Sequence, residues 1–146
     1  MENQRTGLMA ELLGGAQVFG RSSPTWLDWV CFVRRGFPFV CAIELAEHLG
    51  LGDSELANML HVSPVTLARR RRRGFLTTDE SARVMRTAQI LERAIEVFEA
   101  EDMAVDWLNH CNLALGDVTP LSLLDTEFGA NEVNRILGTI EHGVFV

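Results

Sequence analysis

Five consecutive arginines, Arg69 to Arg73, carry the plainest chemistry in this chain. Guanidinium forks at the end of a helix match phosphate oxygens and the acceptor edge of guanine. The same segment opens with Ser63, Val65 and Thr66, side chains short enough to lie near base edges. Upstream, Leu56, Leu60, Val62 and Leu67 recur at the spacing that locks two short helices around a tight turn, and Ala57 is small where those helices must approach. The pattern is that of a helix-turn-helix, with His61-Val62-Ser63 as its turn and Pro64 to Arg73 as its recognition helix. The expected DNA contacts are Ser63, Val65, Thr66, Arg69, Arg70, Arg72 and Arg73. Arg70, three residues after Leu67, is also placed to turn inward and pair with Glu80. Cations at a helix C-terminus are favoured by the macrodipole in any case, so spacing and charge point to DNA only together.

The far end of the chain has the opposite charge. Residues 1–98 hold 12 arginines against 11 acids, whereas residues 99–146 hold Arg135 alone against nine acids. The acidic stretch finishes on Val144-Phe145-Val146 directly after a helical pattern. Such an end reads either as a frayed terminus or as an apolar plug, Phe145, carried with a carboxylate into a basic cleft. Gly143 is expected to end the helix in a left-handed conformation and turn the tail outward.

Catalytic patterns do not emerge. His48, His61, His110 and His142 stand in no His-Glu-x-x-His, Cys/His or Ser/His spacing. Gly14-Gly15 is followed by no Gly-Lys-Ser/Thr, and the chain contains neither lysine nor tyrosine, two common catalytic groups. No enzyme activity, metal or cofactor is expected. Cys31, Cys41 and Cys111 cannot all pair and form no Cys-x-x-Cys, so they are expected to be buried, reduced thiols of a cytoplasmic protein.

The elements that must position these residues are helical. The chain has 146 residues, 47% hydrophobic and 23% charged, which suits one ordinary globule or two small domains sharing a core. No apolar run approaches the ~20 residues a membrane helix needs. The opening Met-Glu-Asn-Gln-Arg has no secretory pattern, so neither a membrane nor export is expected. Leu8, Met9, Leu12 and Leu13 predict a short helix stopped by Gly14-Gly15. Ser23-Pro24 reads as a cap and first residue for a helix carrying Trp26, Trp29, Val30 and Val33 at i, i+3, i+4 and i+7. That helix is apolar nearly all round, so it is expected to be buried in the chain's own core or in a second copy. Helices follow near 39–49, 54–60 and 64–73. Thr77 with Glu80 is a capping box for the longest helix, near 78–99, whose stripe is Val84, Ala88, Leu91, Ile95 and Phe98. The shift in composition at Glu99 to Asp102 predicts a boundary between a domain of residues 1–99, with its helix-turn-helix at about 54–73, and a small helical domain of residues 100–146.

These residues resemble a known family. Leu56-Ala57, Ser63 to Arg70, Gly74-Phe75-Leu76 and Glu80-Ser81-Ala82-Arg83 are similar to the central helix-turn-helix of Xre/MbcA/ParS antitoxins. Ala104, Trp107-Leu108, Asn112, Leu115-Gly116, Pro120-Leu121, Leu124-Asp125-Thr126, Gly129, Val133, Leu137 and Ile140 to Phe145 resemble their toxin-binding domain. Cys111 and Asp117 depart from it, standing where a proline and a second glycine are usual. The resemblance implies an all-α fold, an Xre-like helix-turn-helix domain followed by a small toxin-binding domain. It implies a RES-domain toxin that attacks NAD as partner, its active-site entrance closed by the antitoxin's last helix and tail. It also implies binding to the operon's promoter as autorepressor. The toxin contacts it carries over are Arg135, Glu141, His142, Gly143, Val144, Phe145 and Val146, with Trp107, Leu121 and Leu124 as core. A homodimer and a toxin–antitoxin hetero-oligomer are the expected assemblies. The alternative is a stand-alone transcriptional regulator whose acidic domain only dimerises.

Overall fold

The computed structural model describes residues 2–21 and 23–143, with side chains from residue 7 onward. The all-α expectation holds, with helices and short 3-10 turns and no strand among the described residues. The chain divides into two compact units, Met1–Ala88 and Gln89–Val146, and the division falls inside the longest helix.

The first unit begins with α1 (Glu2–Leu12) and the single turn α2 (Ala16–Phe19). Met9, Leu12 and Leu13 are buried. Next comes α3 (Trp26–Arg35), and here the structure corrects the sequence reading twice. Its cap is Thr25, not Ser23: the Thr25 hydroxyl accepts from the Asp28 N–H while the Asp28 carboxylate accepts from the Thr25 N–H. That backbone hydrogen bond, with Arg21 nearby, holds the Asp28 carboxyl below its ordinary value. The helix is also not buried all round. Trp29 is buried and meets the rings of Phe19, Phe32 and Phe37, whereas Trp26 and Leu27 are 75% and 53% exposed.

Gly36 ends α3, and α4 (Phe39–Leu49) follows, buried along Phe39, Cys41, Ala42, Leu45, Ala46 and Leu49. The link between α3 and α4 is tied to the link that follows α6 (Pro64–Arg73). The Phe39 N–H donates to the Gly74 carbonyl and the Leu76 N–H to the Phe37 carbonyl, each at 2.8 Å. Between them α5 (Asp53–Leu60) packs on α6. The long helix α7 (Thr78–Phe98) starts at the expected capping box, with Thr77 and Glu80 each accepting the other's backbone N–H.

In the second unit α8 (Glu101–Asn109) and α9 (Glu127–Glu141) are joined through 3-10 turns at Leu113–Leu115 and Pro120–Leu123. Ala104, Leu108, Leu124, Val133, Ile136 and Leu137 are buried, and Trp107 packs on Phe98 with ring centres 5.8 Å apart and ring planes tilted by 45°. Trp107 and Leu124 thus serve this unit's own packing.

The thiols correct a further expectation. Only Cys41 is buried, its pKa pushed up to about 12 by burial, while Cys31 and Cys111 are exposed. Both exposed thiols sit on solvent faces that the apolar pattern of their neighbours conceals.

Candidate functional site

Two surfaces carry the candidate residues. The first is α6 with its turn. Leu56, Ala57, Leu60 and Leu67 are all buried at 3% exposure or less, which seats α5 against α6. The turn between them requires a left-handed residue, and His61 takes it, with φ 61° and ψ 43°. Glycine does this without strain, but histidine is among the side chains that tolerate it. The His61 and Val62 N–H groups then close on the carbonyls of Asn58 and Ala57. Ser63 caps α6 by accepting the Thr66 N–H, and its own hydroxyl donates to the Thr66 hydroxyl at 3.1 Å.

The arginine run divides by direction. Val65, Arg69, Arg72 and Arg73 lie at i, i+4, i+7 and i+8, all exposed, with Val65 at 71%. Arg70 turns inward, as its register suggested: its Nε donates to both oxygens of Glu80 at 2.9 and 3.2 Å. Arg71, absent from the expected contacts, holds Asp53 with two hydrogen bonds and lies over the Phe39 ring. Its hydrogen bond to Asp53 lowers the Asp53 carboxyl and raises the Arg71 guanidinium. The outer face of α6 therefore presents three guanidinium groups, those of Arg69, Arg72 and Arg73, beyond the short residues of its first turn.

The second surface is the outward side of α9. Thr126 caps the helix by accepting the Gly129 N–H at 3.0 Å. Gly129 is required, since a Cβ there would run into the carbonyl oxygen of Leu123. Ala130, Val133, Ile136 and Leu137 turn to the core. At the other end, Arg93 donates to both carboxylate oxygens of Glu141, at 2.6 and 3.0 Å, and that hydrogen bond raises the Arg93 guanidinium. Arg135 is exposed and bonds Glu132. His142 is exposed beyond the helix end, and Gly143 is left-handed at φ 68°, the conformation expected for it. Val144, Phe145 and Val146 lie outside the described residues. The loop with the two departures is closed by its own hydrogen bonds. The Asn112 N–H donates to the Val118 carbonyl, the Asp117 N–H donates to Asn112, and Asp117 itself sits at φ 62°, where a glycine would be at ease.

Of the expected partner contacts, the structure brings Arg135, Glu141, His142 and Gly143 to one helix and its end, with Glu141 held by Arg93. Sequence reading missed Arg93 and Asp53, because their pairings join positions 48 and 18 residues apart. It also passed over Phe128, 78% exposed at the start of α9. Its lack of phase with Ala130, Val133 and Leu137 was the available signal. Among the described residues no group of His, Cys, Asp and Glu could hold a metal ion, and no helix is long and apolar enough to cross a membrane.

Comparison with known proteins assigns a family to each surface. Residues 28–88 match the family model of the antitoxin Xre-like helix-turn-helix domain. Residues 93–143 match that of the antitoxin Xre/MbcA/ParS C-terminal toxin-binding domain. An antitoxin Xre of Photorhabdus laumondii is 31% identical over 114 residues, 77% of each chain. One of Yersinia enterocolitica is 35% identical over 115 residues, 77% of this chain and 78% of the relative. A Prs ADP-ribosylating antitoxin of Sphingobium is 37% identical over 79 residues, 48% of this chain and 50% of that one.

Proposed function

The chain belongs to the Xre/MbcA/ParS antitoxin family, and from that premise we propose that it neutralises a RES-domain toxin directed at NAD by closing the mouth of its active site. The closing parts are the end of α9, with Arg135, Glu141, His142 and Gly143, and the tail Val144 to Val146. In the same proposal the chain represses its own operon, holding promoter DNA against Ser63, Val65, Thr66, Arg69, Arg72 and Arg73. Arg70 belongs to the DNA-facing helix as the residue that anchors it to Glu80. Residues 1–99 serve the DNA and residues 100–146 the toxin, in the cytoplasm, as a homodimer that joins the toxin in a hetero-oligomer.

The observation that carries this reading is the left-handed Gly143, two residues past the end of a helix whose last residue, Glu141, is clamped by Arg93. A helix end held by an ion pair and followed by a left-handed glycine is a suitable base for a short inserting segment. Charge supports it. Residues 99–146 carry nine acids against one arginine, and a cleft that takes an anionic dinucleotide is basic, so encounter is steered. Exposure of Trp26 and Leu27 on α3 supports a second copy of the chain, since a two-fold repressor matches two half-sites one turn apart.

The test is a chain ending at Gly143, co-expressed with the product of the reading frame beside its gene. It is expected to fold and to shift promoter DNA as the full chain does, yet to leave cells unprotected. A truncated chain that still rescues cells ends the plug reading. A neighbour that never co-purifies with the full chain favours a stand-alone regulator.

A further inference from the structure

The first unit holds a cavity of about 280 Å³ that neither candidate surface uses. It lies where α2 meets the end of α3, walled by Val18, Phe19, Phe32, Phe37, Pro38 and Phe75. Phe19 and Phe37 are buried, whereas Phe75 is 51% exposed. Among the described residues that line it, Arg35 alone is charged. Its guanidinium lies over the Phe32 ring, 5.4 Å from the ring centre, and no carboxylate among the described residues pairs with it. Trp29 packs on three of the four phenyl rings, and its indole N–H is buried without an acceptor. Buried donors are ordinarily satisfied, so this one argues for an acceptor brought from outside the chain.

These groups set the chemistry of an occupant. The cavity is small for a ligand site, so it takes one ring or branched aliphatic group on a short arm and excludes a dinucleotide. Its single cation is matched by a single negative charge. Backbone N–H groups that would cradle a phosphate are already engaged: that of Gly36 with the carbonyls of Phe32 and Val33, that of Phe37 with the Ser81 hydroxyl, that of Phe39 with Gly74. A planar carboxylate suits the guanidinium fork, and a guanidinium laid on a ring keeps its N–H edge open to one.

The walls also reach the recognition helix. Phe37-Pro38 and Gly74-Phe75 belong to the two links tied by the Phe39–Gly74 and Leu76–Phe37 hydrogen bonds. Gly74 caps α6, its N–H donating to the Arg70 carbonyl. An occupant that draws Phe75 onto itself steadies the end of the helix that carries the outward arginines.

We propose that this cavity binds a small monocarboxylate with an aryl or branched aliphatic tail, and that occupancy strengthens the hold of α6 on promoter DNA. The second half rests on the promoter-binding reading, and the first does not.

The probe is hydrocinnamate, with its neutral amide as control, added to the full chain. Calorimetry is expected to give a Kd of ~1 mM or tighter for the carboxylate and at least tenfold weaker binding for the amide. Arg35→Gln removes the exposed cation, and Val18→Phe fills the cavity from a half-buried wall. Each variant is expected to melt cooperatively and to bind the carboxylate at least tenfold more weakly than the wild type. In the wild type, saturating hydrocinnamate is expected to tighten promoter binding at least threefold, and by linkage promoter DNA tightens the probe by the same factor. No binding of the carboxylate, equal binding of carboxylate and amide, or wild-type affinity in both variants overturns the site. Promoter affinity that does not rise with the probe bound overturns the coupling. A chain that never shifts promoter DNA, with or without probe, ends the promoter reading instead, and calorimetry still decides the site.

Discussion

Two of the five arginines in α6 are engaged before any ligand arrives, and what they hold explains why. Arg70 is half-buried beside Glu80, which is 4% exposed, and an ion pair so placed is stable only when both partners are present. Burial by itself pushes the Glu80 carboxyl up, but the Arg70 guanidinium and the Thr77 N–H outweigh it, and the net position is below the ordinary glutamate value of 4.5. A carboxyl lowered by folding stabilises the native state above that value. The contribution fades as pH falls through the folded value. Glu80→Gln is therefore expected to lose about 2 kcal/mol at neutral pH, roughly the worth of a charge-assisted hydrogen bond. In urea titrations the gap between variant and wild type should narrow steadily below pH 4.5, and a gap that stays constant to pH 3 contradicts this role. Sequence made this pair legible because both ends are local: Leu67 fixes the side of Arg70, and the Thr77–Glu80 box fixes Glu80. The Arg71–Asp53 pair was hidden, since only the angle between α5 and α6 brings it together. The exposed thiols of Cys31 and Cys111 were hidden for a related reason, because cysteine counts as apolar in any periodicity.

Helix limits were read from caps, and they fail where two caps compete. Ser23-Pro24 has the order of a helix start, yet α3 begins two residues later because Thr25 and Asp28 satisfy each other's N–H groups reciprocally. Two donors satisfied outweigh one. The boundary of α9 was easier, as Thr126 stands alone three residues before Gly129. What no pattern revealed is that the two glycines of α9 differ in their surroundings: a Cβ at Gly129 would meet the Leu123 carbonyl, whereas one at Gly138 would meet no described atom within 4 Å. Substituting alanine for glycine inside a helix ordinarily gains up to about 1 kcal/mol. At Gly129 the added Cβ meets the Leu123 carbonyl, so the turn at Pro120–Leu123 must move, and overpacking of this kind costs about 1–3 kcal/mol. Gly129→Ala is expected to lower the melting temperature by several degrees, whereas Gly138→Ala raises it. Equal shifts in the same direction would show that the close approach at Gly129 relaxes freely.

At the scale of the whole chain, charge separates two tasks that share one polypeptide. Met1–Ala88 carries 11 arginines against nine acids, with three of the arginines gathered on the outer face of α6, while Gln89–Val146 carries two arginines against 11 acids. An acidic chain can still grip DNA locally, because surface charges farther off than the ~8 Å Debye length are screened at physiological salt. This division gives the DNA reading a quantitative form. Each phosphate contact contributes ~0.9 to the slope of log affinity against log salt. Neutralising Arg72 and Arg73 together, as R72Q/R73Q, is expected to flatten that slope by nearly two and to weaken binding to operator and unrelated DNA alike. Arg71→Gln, which removes a guanidinium already committed to Asp53, should leave the slope unchanged, and toxin capture should be the same in all these chains. Promoter titrations at several salt concentrations measure it. If R71Q flattens the slope as much as the double variant does, the arginines act as an undirected cloud of charge, and the sorting of α6 into inward, sideways and outward guanidinium groups has no bearing on DNA.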